Sequence, residues 1–294
     1  MRNISLPTLL IAVVISVSLS FFLRPSPTPE KHETAYERVM RTGVLRCGYG
    51  LWEPAVMRDP NTGEFSGILY DFMQEVGKAL NIKVEYTLDM PWDSIGMSLL
   101  AHKIDAHCAG IWATPGRGRL MAFTNPLFFS PTVAFARIDD NRFDNNLSKI
   151  NNPDVTVALS DDDITTEVYQ SEFSQAKKWT LPQMAPPEEL LLAISMHKAD
   201  VAFNAPPRLH SFEKGYPGKV KIIPNPKPLR IFADTIAVSI EDEELLHVLN
   251  TTIDQLIDSG AMDKIVNKYK DKYDMSFVVP VNRPYTWKPM DSNK

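Results

Sequence analysis

The chain of 294 residues has only two cysteines, Cys47 and Cys108, and none of its six histidines stands beside another at metal-ligand spacing. A disulfide-dense scaffold and a zinc site are therefore not expected. There is no G-x-S-x-G nucleophile turn and no G-x-x-x-x-G-K phosphate loop, and no cysteine and histidine lie in an arrangement that spacing alone makes nucleophilic. Basic residues number 31 against 36 acidic ones, a formal charge of -5. Such a chain has no cationic surplus with which to displace counterions from a phosphate backbone, so nucleic acid is not an expected partner. With 44% hydrophobic and 23% charged residues it is not a disordered chain either. No cofactor is expected.

What is present begins with an apolar run. Between Arg2 and Arg24 there is no charge, and the run includes "TLLIAVVISVSLSFFL". In helical form it covers roughly 30 Å, enough to cross a bilayer. It reads either as a secretory signal, with Ser18-Leu19-Ser20 the best cleavage site, or as a retained membrane tether over 1–24. Both send the remainder out of the cytoplasm. The Pro-rich stretch 25–35 is a spacer that cannot build a core. In an exported body Cys47 and Cys108 could bridge, but each sits in an apolar strand pattern and the pair is read as two buried thiols.

From there the pattern is strand and helix in alternation. "TAYERVMRTG" reads as a helix stopped at Gly43, "VLRCGYG" as a buried strand, and "DPNTGEFSG" as a turn. "YDFMQEVGKALN" places Met73, Val76, Gly77 and Leu80 on one helical face, and "NIKVEYTLD" alternates as a strand. A helix, "WDSIGMSLLAHK", and a strand, "IDAHCAGIW", complete a βαβ plan, with Trp92 assigned to the core. The plan repeats over "DVTVALS", "DDDITTEVYQSEFSQ", "KKWTLP", "PPEELLLAISMHK" and "ADVAFN". The extended "IFADTIAVSI", two amphipathic helices and an irregular tail from Met275 follow. The fold class is α/β, with mostly parallel sheets flanked by helices.

Ligands of parallel sheets bind beyond the carboxyl ends of the strands. Tyr49 and Trp52 follow one such end, and Gly110, Trp112, Thr114 and Arg117 follow another within "AGIWATPGRGRLMAFTNPLFF". These six are expected to converge.

The blocks "GVLRCGYG", "TGEFSGILYDFMQEVGKALNIKVEY", "MSLLAHKIDAHCAG", "TPGRGRLMAFTNPLF" and "LLHVLNTTIDQLIDSGAMDKIVNKY" resemble, in order, those of the extracellular solute-binding protein family 3, the polar amino-acid-binding proteins of ABC importers. The resemblance implies a two-lobe periplasmic-binding-protein-like clamshell. Lobe 1 would be 36–134 plus 236–275 and lobe 2 would be 138–230, joined by two hinge crossings, "TVAFAR" and "IFADTIAV", with a tail over 276–294. It implies that Arg117 clasps a carboxylate of the ligand, that Thr114 and Gly110 add hydrogen bonds, and that Trp52 covers the ligand.

In the second half the chain departs from the family. Where a glycine followed by serine or threonine is usual, it has Ser160 and then Asp161, Asp162 and Asp163; where an ammonium-binding aspartate is usual, it has Ala205, with Asn204 beside it. Asp161 and Asn204 are candidate ligand contacts, although Ser160-x-x-Asp163 also fits a helix-capping box. The function expected is capture of a small polar, carboxylate-bearing solute in the periplasm and its delivery to an ABC permease, without bond making. The alternatives are a cyclohexadienyl-dehydratase-like enzyme and a ligand-sensing module on the same scaffold.

Overall fold

The structure is a computed structural model that describes residues 33–161, 164–182, 185–186 and 188–281. The apolar segment and most of the spacer lie outside the described residues. Among the described residues no helix is long and apolar enough to cross a membrane.

Helix α1 (Ala35–Thr42) ends where Gly43, at φ 67°, donates its N–H to Val39 O. Strand β1 (Val44–Tyr49) follows, then a short hairpin, β2 (Met57–Arg58) and β3 (Phe65–Ser66), whose turn is fixed by the Asp59 carboxylate accepting from the N–H groups of Asn61 and Thr62. Helix α2 (Ile68–Leu80) buries Ile68, Leu69, Phe72, Met73 and Val76, the stripe that a 3.6-residue period lays on one face. Left-handed Asn81 closes it, and β4 (Lys83–Asp89) pairs parallel to β1. A 3-10 turn (Trp92–Ser94) leads into α3 (Ile95–Leu100), and β5 (Ala106–Trp112) returns parallel to β1 on its other edge.

After β6 (Met121–Phe123), the long strand β7 (Phe128–Arg137) leads into a second set: β8 (Thr156–Ser160), α4 (Ile164–Glu172), β9 (Lys177–Leu181), α5 (Glu188–Ser195), β10 (Val201–Asn204), α6 (Pro207–Glu213) and β11 (Val220–Ile222). The long strand β12 (Arg230–Ser239) then leads to α7 (Glu243–Asp258) and α8 (Ala261–Tyr269), which pack on α2. The strand order β4-β1-β5-β12-β7-β10-β8-β9 contains two parallel sets, β4-β1-β5 and β10-β8-β9. Antiparallel β12 and β7 run between them, paired from Arg230 to Asp234. Two α/β lobes joined by two extended strands is the clamshell architecture, and paired crossing strands are where such a fold can hinge.

Both lobes are pinned in the same way. Buried Asp105, just before β5, accepts the Arg46 N–H of β1 at 2.6 Å and is gripped by the Arg38 and Arg46 guanidinium groups. Asp200, just before β10, accepts the Thr156 N–H of β8 at 2.9 Å and pairs with Arg137 and Arg142. Burial acts to raise the Asp200 carboxyl, but the Thr156 N–H and the Arg142 and Arg137 guanidinium groups together outweigh it and hold the group below the usual carboxylate range.

One reading of the sequence is corrected. Cys47 and Cys108 form a disulfide with Cα atoms 5.5 Å apart; β1 and β5 are adjacent parallel strands that turn both side chains into the α2-facing core. The stretch after Met275 is packed at its start: Phe277 is fully buried with its ring on Trp52 and Phe128, and Val279 bridges to Phe129 of β7.

Candidate functional site

A cleft with a cavity volume of about 130 Å³ opens where the strands of both lobes end. Trp52, Trp92, Gly110, Ile111, Trp112 and Arg117 line it from the first lobe. Ser160, Ile164, Ala185, Leu190, Asn204, Ala205 and Arg208 line it from the second, and Ser130 and Asp234 from the crossing strands. This is the position in which a ligand would be enclosed by closure.

Arg117 begins a 3-10 turn directly after β5. The turn is shaped by Thr114, whose hydroxyl accepts the Arg117 N–H at 3.4 Å and whose carbonyl accepts the Gly118 N–H at 2.9 Å. The guanidinium donates to Trp112 O at 3.1 Å, which orients the group at the rim of the cleft. A planar guanidinium suits a carboxylate because two parallel N–H donors match two oxygens. Gly110, at φ 78°, lets the end of β5 pass close to its neighbours: a Cβ there would stand 2.6 Å from Leu69 Cδ1.

Both indole N–H groups nearest the crossing strands are used internally. Trp52 Nε1 donates to Ala109 O at 2.6 Å, and Trp112 Nε1 donates to Ser130 Oγ at 2.9 Å while its ring stacks on Phe232. What these residues offer a ligand is therefore apolar ring surface. Across the cleft Arg208 is paired with Glu188, which offsets its charge.

Asp234, at the centre of β12, is 3% exposed, and its Oδ2 accepts the Ser130 hydroxyl. Burial pushes its carboxyl up to about 7, against the opposing effect of the Ser130 and Trp112 hydrogen bonds. Beneath Trp92 lies His107 of β5, fully buried, its ring 5.3 Å from the indole. Burial, and secondarily the positive charge of Arg117, lowers its pKa to about 3.

Of the residues expected from the sequence, Trp52, Gly110, Trp112, Arg117 and Asn204 line the cleft, and Asn204 Oδ1 accepts the Ala205 N–H. Three do not. Tyr49 shares the core face with Cys47, two residues earlier on β1, and packs against Phe65 and Tyr86. Thr114 acts behind Arg117 rather than beside it in the lining. Asp161 is solvent-exposed, its N–H donated to Leu181 O, while its neighbour Ser160 faces the cleft. Asp162 and Asp163 lie outside the described residues. Trp92, assigned to the core, packs on core residues with one part and lines the cleft with another. The sequence reading missed Ser130, Arg208 and Asp234; a lone acid inside the apolar run "IFADTIAVSI" was the available signal for the last. Among the described residues no group of three His, Cys, Asp or Glu side chains is placed to hold a metal ion.

Paired crossing strands with an aromatic and guanidinium-bearing cleft between two α/β lobes define a clamshell that encloses a small solute. The chain belongs to the bacterial extracellular solute-binding proteins, family 3, whose profile matches residues 45–272, and its role is solute binding. No curated protein matches it significantly. Similar solved structures include the ancestral amino acid-binding protein AncCDT-1, a precursor of cyclohexadienyl dehydratase, with TM-score 0.67 and 23% identity over 80% of this chain and 99% of that one. A mutant of ArgBP from T. maritima has TM-score 0.66 and 24% identity over 81% and 100%. A putative ABC-transporter binding component from Wolinella succinogenes, complexed with lysine, has TM-score 0.66 and 20% identity over 77% and 95%.

Proposed function

We propose that this protein captures a small polar solute bearing a carboxylate, such as an amino acid, outside the cytoplasmic membrane and presents it to an ABC permease. Arg117 is the group that grips the carboxylate. The observation that carries this reading is the guanidinium at the end of β5, oriented by Thr114 and Trp112 and lining the inter-lobe cleft. The bridge between Cys47 and Cys108 supports an oxidising, extracytoplasmic location. The amino-acid-binding neighbours support the ligand class and the transport partner. Trp52, Trp92 and Trp112 supply the apolar walls, Gly110 and Asn204 frame the ends of β5 and β10, and closure buries the ligand in proportion to its preference for the closed state.

Isothermal titration of the exported body against amino acids, polyamines and dicarboxylates tests this. At least one carboxylate-bearing solute is expected to bind. Arg117→Ala is expected to weaken it on the order of 100-fold, the loss typical of leaving a desolvated carboxylate unpaired. Equal affinity in the variant removes Arg117 from the site.

One observation favours the enzyme reading as a second choice. Asp234 gives the cleft a carboxyl that is held near neutrality and can donate a proton, as a dehydratase needs. Incubation with prephenate or arogenate is expected to give no product; turnover that depends on Asp234 would replace the binding protein with an enzyme.

A further inference from the structure

We propose that Arg208 holds a second anionic group of the cargo, so that the solute is a dicarboxylate whose two acid groups bridge Arg117 of the first lobe and Arg208 of the second. The inference rests on the binding reading above and names the other end of the ligand.

Arg208 is set in place by its own lobe. It stands in the first turn of α6, and α5 and α6 pack on a common core that includes Leu191, Ile194 and Phe212. Its Nη1 donates to Glu188 Oε1 at the start of α5, which fixes the guanidinium at the cleft wall. The two ends of that pair meet different surroundings. The Arg208 side chain is 17% exposed and lines the cleft, whereas Glu188 is 40% exposed and lies outside the lining, so water screens the acid more than the base. A bond to Glu188 does not exhaust a planar guanidinium, whose fork can serve two carboxylates. Arg142 shows that double use in this chain, with Nη2 donating to Asp140 and to Asp200 at once.

The rest of the second lobe's wall offers donors rather than acids. Asn204 Oδ1 is taken by the Ala205 N–H, so the amide nitrogen is what Asn204 can turn to a ligand, and Ser160 adds a hydroxyl. Among the described residues that line the cleft, the one carboxyl is Asp234. It is buried and engaged by Ser130 and Trp112, and burial raises its pKa to about 7, so in mildly acidic medium it stands largely neutral. The balance of charge on the lining is then positive, with one guanidinium from each lobe. A dianion gains from both groups only when the lobes are together, which couples its binding to closure. An ammonium group would instead meet two guanidinium groups and no ionised partner among these residues.

The test is isothermal titration at pH 6.5 with succinate, glutarate and adipate, each against its monoamide, and with L-lysine and L-arginine. The best dicarboxylate is expected to bind about tenfold more tightly than its monoamide, which keeps the shape and one carboxylate, and more tightly than either cationic amino acid. Arg208→Gln is expected to weaken that dicarboxylate on the order of 20-fold and its monoamide by about twofold or less, whereas Arg117→Ala weakens both. The comparison of ligands on the unaltered protein decides the matter even if Arg208→Gln folds poorly. A monoamide that binds as tightly as its dicarboxylate, a preference for lysine or arginine, or an unchanged dicarboxylate affinity in folded Arg208→Gln overturns this inference and leaves the carboxylate reading standing. Failure of every carboxylate to bind overturns both.

Discussion

Removing the Cys47–Cys108 bridge with paired alanine substitutions is expected to lower the free energy of unfolding by about 4 kcal/mol. The bridge spans a sequence separation of 61 residues, and closing a loop of that length in the unfolded chain accounts for that order of stabilisation. For a body of this size the melting temperature should fall by roughly 10 °C. The loss has a functional edge. The bridge ties β1 to β5, and the far end of β5 carries Gly110, Trp112 and the Arg117 turn, so loosened pairing would reach the cleft. Thermal melts of the parent and the double variant, each with and without reductant, check this. A parent that melts within 2 °C of the variant under oxidising conditions shows that the bridge adds little.

His107→Leu is expected to make the protein resistant to acid. The imidazole is fully buried with its ring beside Trp92, and neither ring nitrogen has a hydrogen-bond partner among the described residues. Its folded pKa of about 3 lies below the ordinary 6.5, so between those values the unfolded chain binds the proton and the folded one does not. Stability is therefore lost as pH falls from about 6.5 towards 3, and at pH 4 the loss due to this one group is about 3 kcal/mol. Leucine has nothing to protonate and no orphaned donor, so the variant should gain about 1 kcal/mol at pH 7.5 from the lost orphan and about 4 kcal/mol at pH 4, where the proton contribution adds to it. Asp234 acts in the opposite sense: its raised pKa makes stability fall as pH rises from about 4 to about 7. Because that contribution is common to parent and variant, it cancels in the comparison. Urea unfolding at both pH values gives the answer, and an equal gain at pH 4 and pH 7.5 contradicts it.

Much of the architecture was legible because local patterns and the fold agree. Gly43 stops α1, the stripe from Ile68 to Val76 faces the core, and the apolar runs of β1 and β5 are the doubly covered strands of a parallel sheet. What was not legible depends on which strands become neighbours. The disulfide requires β1 and β5 to pair side by side, a contact between segments separated by the β2–β3 hairpin, α2, β4 and α3. Once Cys47 is known to face the core, a period of two puts Tyr49 there as well and takes it from the ligand. Asp234 was hidden for a related reason: Ser130 and Trp112, which fix it, come from strands far away in sequence and meet only when β12 is inserted between β5 and β7. The core assignment of Trp92 holds for only part of the side chain, because one side of a large ring can pack on a core while another lines a cleft.

The most direct measurement is a crystal structure of the exported body with the tightest-binding solute from the panel. The expected result is a carboxylate accepting two N–H groups of Arg117 inside the closed cleft, with ring surface of Trp52 or Trp112 against the ligand. A solute lodged elsewhere, or one that lies in the cleft without touching Arg117, would contradict the account.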